Sequence, residues 1–252
     1  RYIDEIFDEV QVTSDVQYGT NITILPALQG MPPAAEALMM DIYEPVGDTE
    51  TERPLFMFFH SGNFLPPMVN GGTQGTRTDN TVVEMCERYA RMGYVTAAVS
   101  YRLGWNPTAG TQEERTLQLI QAAYRGVQDS RTAVRFFRKS AAEDGNPYGI
   151  DPDKVAMAGD GTGGYVTLAS STISDFNDII IDDEGNPIDK FWYDDDGDGI
   201  LTPMVVEALH GNPDGTTDTP LCMSNHVGYS SDFSFQMNMG GALGDLNWLD
   251  EG

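Results

Sequence analysis

The chain has 252 residues, of which 39 are Asp or Glu and 14 are Lys or Arg, giving a net charge of −25. A surface so acidic repels phosphate backbones and anionic membranes, so nucleic acid is not an expected partner. No apolar run approaches the roughly 20 residues needed to span a bilayer, and the opening RYIDEIFDEV lacks a basic stretch followed by an apolar one. The length suits one α/β domain with a single sizeable core.

The first residue is Arg1 and not Met, which implies that a preceding segment was removed, by a signal peptidase or by design; export is the expectation. Cys86 and Cys222 are the two cysteines, too few to demand or exclude a disulfide. Cys86 falls on a helical pattern in TVVEMCERYARMGY and reads as a buried free thiol.

In chain order, ALMMDIYEP (37–45) and PLFMFFHS (54–61) read as strands, rich in apolar and aromatic residues and bounded by Pro or charge. A helical period follows over 81–92, then a strand in YVTAAVSY (94–101). A long helix is expected from Glu113 to Ala142, where Ile120, Ala123, Tyr124, Val127, Val134 and Phe137 recur near the helical period. KVAMAGD (154–160) is a further strand, running into a glycine-rich turn and a helix beginning at Gly164. From Ser174 to about Asn225 Asp, Asn, Gly and Pro cluster without periodicity, which reads as an inserted polar segment at about 174–225. A last strand is expected in FSFQMNMGGAL (233–243). Strands alternating with helices imply an α/β fold with a mostly parallel sheet covered on both faces.

Four blocks, FFHSGNF, VSYRLG, VQDSRTAVRFFRKSAAEDGNPYGIDPDKVAMAGD and GDGTGG, occur in the order expected of a carboxylesterase-like chain. Over roughly residues 35–170 the sequence resembles the α/β-hydrolase fold, in its carboxylesterase and lipase branch. The resemblance implies that HSGNF is the loop whose backbone N–H groups face an oxyanion, with Gly62 and Asn63 as donors and Thr162 N–H as the third. It gives His60 a structural role in shaping that loop, and Arg102 a buried role tying loops together by hydrogen bonds. It also implies that Gly159, Gly163 and Gly164 let strand, turn and helix pack closely.

The same resemblance exposes a gap. Acyl transfer on this fold needs a serine, an acid and a histidine in that chain order, and the serine's position is Gly161. Thr162 is one residue late and Asp160 one residue early. His210 and His226 precede the expected last strand and read as loop or packing residues; Asp245, which follows it, is a weak candidate for the acid. The expected sheet lacks the final strands of the family, so the 252 residues are expected to be an incomplete unit whose last strand meets a second polypeptide or a further segment.

The other chemically loaded stretch is DDDGDGILTP (194–203), with Asp194, Asp196 and Asp198 at alternating positions followed by Gly199. That spacing converges carboxylates on a hard cation, with the Ile200 carbonyl as a further oxygen, so calcium is the expected cofactor. Position twelve is Val205 and not Glu; the last ligand is assigned to Glu207, with Asp195, Asp182 or Asp183 as alternatives. The competing reading is a solvated acidic loop. Taken together, the expectation is a secreted or cell-surface carboxylesterase-like protein that is inactive and serves as a binding or assembly module. The alternative is an active carboxylesterase for small acyl esters, seen as a Ser-to-Gly variant without its C-terminal part.

Overall fold

The computed structural model describes residues 1–195 and 197–249. Strands β1 (Val10–Thr23), β2 (Ala34–Pro45), β3 (Arg53–Phe59), β4 (Val95–Val99), β5 (Ile150–Asp160) and β8 (Phe235–Met239) form one sheet in the order β1-β2-β4-β3-β5-β8. β1, β2 and β4 pair antiparallel, while β4, β3, β5 and β8 run parallel. Helices α1 (Asn80–Arg91), α2 (Gln112–Glu143) and α3 (Thr162–Thr172) connect the parallel strands. The segment after α3 carries α4 (Asn177–Ile180), the hairpin β6 (Trp192–Asp194) and β7 (Leu201–Pro203), and α5 (Glu207–His210).

The two sides of β3 show how the sequence builds the layers. Leu55, Met57 and Phe59 point one way and join Val95, Ala97, Val99 and Met157 against Ala133, Val134 and Phe137 of α2 and Val166 of α3. Phe56 and Phe58, offset by one residue, point the other way and pack with Val82, Cys86 and Ala90 of α1. A strand buried on both faces reads as a continuous apolar run, as PLFMFF does. Burial pushes the Cys86 thiol up to about 12, and both cysteines are free. At its N-terminus, α2 is closed by a capping box: Glu114 N donates to Thr111 Oγ1 at 3.0 Å while Thr111 N donates back to Glu114 Oε2.

β1 was not legible as a strand. Its pairing with β2 slips between Thr13 and Val16 and again between Gln17 and Gly19, and each slip breaks the period-two pattern by which a half-buried strand is read. The 174–225 segment is polar on average, yet it buries Ile179, Ile180, Ile188, Phe191 and Val205 with Tyr124, Ala169, Ile173 and Trp248 in a second core outside α2 and α3. Among the described residues no helix is long and apolar enough to cross a membrane.

Candidate functional site

Strand β5 ends at Asp160 and α3 begins at Thr162, so the whole reversal falls on Gly161, at φ +50° and ψ −114°. The glycines around it are forced by contact. A Cβ on Gly163 would stand 2.1 Å from the Phe59 carbonyl oxygen, one on Gly159 2.1 Å from Gly163 C, and one on Gly164 2.4 Å from Asn238 Oδ1. These approaches let the N-terminus of α3 press on the ends of β3, β5 and β8. Gly161 N–H donates to Met239 O at 2.9 Å, which ties the turn to β8.

Facing the turn is the loop that leaves β3, residues 60–64. Gly62 (φ +119°), Asn63 (φ +57°) and Phe64 (φ +55°) are successive left-handed residues, an arrangement that costs the two non-glycines about 1–2 kcal/mol each. It persists because the surroundings hold it. Gly104 N donates to Phe64 O at 2.8 Å, Leu65 N to Gly62 O at 3.0 Å and Trp105 Nε1 to Asn63 O at 2.7 Å. The His60 ring is buried, stacks on Tyr101 with centroids 4.6 Å apart, and has Nδ1 2.6 Å from Ser61 O. Tyr101 OH donates to His60 O at 2.7 Å and lies 3.1 Å from Thr162 Oγ1, joining loop to turn. Among the described residues, Gly62, Asn63 and Thr162 donate no backbone N–H to a protein acceptor.

Beside the turn opens a largely apolar cleft of about 750 Å³, whose walls include Asn63, Phe64, Leu65, Trp105, Leu119, Ile120, Thr162, Tyr165, Phe191 and Trp248. Asn63, Phe64 and Leu65, which open the stretch NFLPPM, supply part of this lining, whereas Met68 at its end is 97% exposed. Trp105, Tyr165, Phe191 and Trp248 come from four separate segments, so no local pattern could have joined them. Lys190 stands at the rim, donating to Gly244 O at 2.9 Å and pairing with Asp245 at 2.5 Å.

The histidines and Asp245 have local partners. His210 accepts from Val206 N at 3.0 Å, and His226 Nε2 lies 2.7 Å from Tyr18 O. Burial lowers the pKa of all three histidines, that of His60 to about 4. Asp245, the weak candidate for an acid, instead accepts from Asn247 N at 2.9 Å, caps a short turn of 3₁₀ helix and binds Lys190. Arg102 is fully buried with Asp129 and donates to Ile22 O, Leu221 O, Gln128 Oε1 and both Asp129 oxygens, which ties together β1, α2 and the segment before β8.

The acidic stretch forms the turn of the β6–β7 hairpin. Asp194 accepts from Gly197 N at 2.8 Å and from Gly199 N at 2.9 Å, and Asp198 Oδ1 accepts from Ile200 N at 2.7 Å. Val205 is buried in the second core, while Glu207 is exposed at the start of α5. Asp196 lies outside the described residues. Among those that are described, no three His, Cys, Asp or Glu side chains gather closely enough to hold a metal ion.

Residues 40–190, more than half of the chain, match the BD-FAE family model. No curated protein matches the chain. Solved structures similar to it include a thermophilic esterase of the Planctomycetes species Thermogutta terrifontis (22% identity over 61% of this chain and 43% of that one, TM-score 0.37). Esterase B of Lactobacillus rhamnosis (17%, 68% and 42%, TM-score 0.41) and EstE1, a thermostable carboxylesterase cloned from a metagenomic library (20%, 68% and 42%, TM-score 0.39), are others. The chain spans less than half the length of each of these three. With its strand order, its strand–turn–helix at Gly161 and the match across its central 151 residues, the chain belongs to the BD-FAE family and has an α/β-hydrolase, carboxylesterase-like fold.

Proposed function

We propose that this chain is a carboxylesterase-like protein that does not hydrolyse esters and instead binds, in the cleft beside Gly161, a molecule with an apolar acyl or aryl portion, as a binding or assembly module. The observation that carries this reading is the turn itself. It keeps the conformation that would present a nucleophile, yet carries no side chain, and each described histidine is committed to a backbone contact. Without nucleophile and base, the backbone donors and binding alone leave only a small residual acceleration. The expected result is no hydrolysis of 4-nitrophenyl acetate or butyrate above the buffer rate; turnover by the purified chain sinks the proposal.

A second reading is favoured by one observation, the unengaged N–H groups of Gly62, Asn63 and Thr162. Here the chain is a piece of an active carboxylesterase in which a glycine has replaced the serine, and Gly161→Ser together with the missing acid and base would restore turnover of short acyl esters. Three further proposals accompany the first reading. The β6–β7 turn binds calcium through Asp194, Asp196, Asp198 and the Ile200 carbonyl, with Glu207 as the last ligand; the Asp194 and Asp198 contacts to loop N–H groups support it by holding those carboxylates in the turn. The protein works outside the cell, where millimolar calcium fills such a site. The outer edge of β8, unpaired among the described residues, takes a strand from a further polypeptide.

A further inference from the structure

The space that a side chain on residue 161 would enter is not empty. An ideal Cβ on Gly161 would lie 2.3 Å from Ser61 Oγ and 3.2 Å from Ser61 Cβ, with nothing else nearer than Ser61 Cα at 3.9 Å. One hydroxyl, delivered by the facing loop from a hundred residues earlier, thus fills the place of the absent one. Ser61 is half-buried, and its Oγ has no hydrogen-bond partner among the described residues.

Its backbone has little freedom to withdraw. On one side His60 is buried and stacked on Tyr101. On the other, Gly62 is held so close to the 70–75 segment that a Cβ there would lie 2.5 Å from Gly75 Cα. With the backbone held, rotation of the Ser61 side chain is the movement that clears position 161, because an Oγ 2.3 Å from the Cβ position lies well inside the roughly 3.4–4 Å of ordinary van der Waals packing.

We propose that Ser61 is a transposed hydroxyl: it occupies the position of a residue-161 side chain, must turn away before one can be placed there, and offers its O–H between Gly161 and the cleft that Asn63 and Thr162 line. Resting on the binding reading, this assigns the polar contact of that site to the β3 loop and not to the turn, with an ester or amide carbonyl as the group the hydroxyl meets. No histidine accepts its proton, so it acts as a donor to ligand and not as a nucleophile. Gly161 and Ser61 then form one unit, and serine placed at 161 alone does not recreate a working turn.

The test is a double-mutant cycle in the full 252-residue chain, read by thermal unfolding. Gly161→Ala lowers the midpoint by roughly 5–10 °C, from the positive φ and the contact together. Ser61→Gly changes it by no more than about 2 °C. The double variant Ser61→Gly/Gly161→Ala recovers part of the drop, and if Gly161→Ala alone fails to fold, the double variant folds. Additive effects, or a double variant no better than the single, overturn the inference. A second measurement uses ethyl hexanoate as the probe, read by tryptophan fluorescence, since Trp105 and Trp248 line the cleft. Ser61→Ala weakens its binding about 5-fold with the midpoint unmoved, as expected for one neutral hydrogen bond. Equal affinity in both proteins overturns the assignment of Ser61 as the ligand's contact. Failure of the parent to bind the probe counts against the binding reading itself, whatever the cycle shows.

Discussion

Replacing Arg102 by Met tests how the carboxylesterase-like frame is held. The Arg102 side chain and that of Asp129 are both at 0% exposure. Nε reaches Asp129 Oδ1 at 2.9 Å and Oδ2 at 3.0 Å, Nη1 donates to Ile22 O at 3.0 Å, and Nη2 to Gln128 Oε1 at 2.9 Å. Met has a similar stem but no donor, so Asp129 would keep only the Arg102 backbone N–H, at 2.7 Å, among these contacts. A buried charge stripped of its partner costs about 3–5 kcal/mol. At roughly 2–4 °C per kcal/mol for a domain of this size, the thermal midpoint should fall by about 6–20 °C. The companion variant Arg102→Met/Asp129→Leu removes both charges and should recover much of that loss, because two apolar neighbours leave no ion uncompensated. The assay is calorimetry of parent, single and double variants. A drop of less than about 2 °C for Arg102→Met, or a double variant less stable than the single, would refute the claim that this pair staples β1 to α2.

Three other outcomes are expected. The His60 imidazole, neutral in the folded chain down to about pH 4 against 6.5 for the free side chain, takes up a proton on unfolding before it can do so in place; stability is full above pH 6.5 and is lost as pH falls toward 4, by at most about 3 kcal/mol. His60→Gln should therefore lose less of its thermal midpoint than the parent between pH 7 and 4.5, and parallel losses would show that burial of this ring does not set the slope. Calcium should raise the midpoint and chelator lower it, with Asp194→Ala or Asp198→Ala abolishing the difference; four identical melts leave the acidic turn as a solvated loop. Residues 1–252 alone should self-associate through the β8 edge, where Phe235 is 60% exposed. Phe235→Lys should reduce light scattering by blocking that edge, and unchanged scattering removes the case for a pairing strand.

The sequence by itself determined the strands and helices from residue 37 to 172, because each shows locally as a helical period or as a short apolar run bounded by Pro, Gly or charge. It also determined that the turn carries no side chain at Gly161 and has Gly159, Gly163 and Gly164 around it, since a missing Cβ is a property of the residue itself. Even Arg102 was legible as a buried tie, from its place in the VSYRLG block. What only the tertiary structure decided are matters of long-range contact. Residue spacing does not encode strand order, so neither the antiparallel β1 edge, with its two register slips, nor the position of β8 beside β5 could be read along the chain. Nor could the second core, where Ile179, Phe191, Val205 and Trp248 meet from segments too polar and irregular to show a period. Ser61 is the sharpest case: in HSGNF it looks like a small loop residue, and only the folding of β3 against β5 brings its hydroxyl to the one place where residue 161 has none.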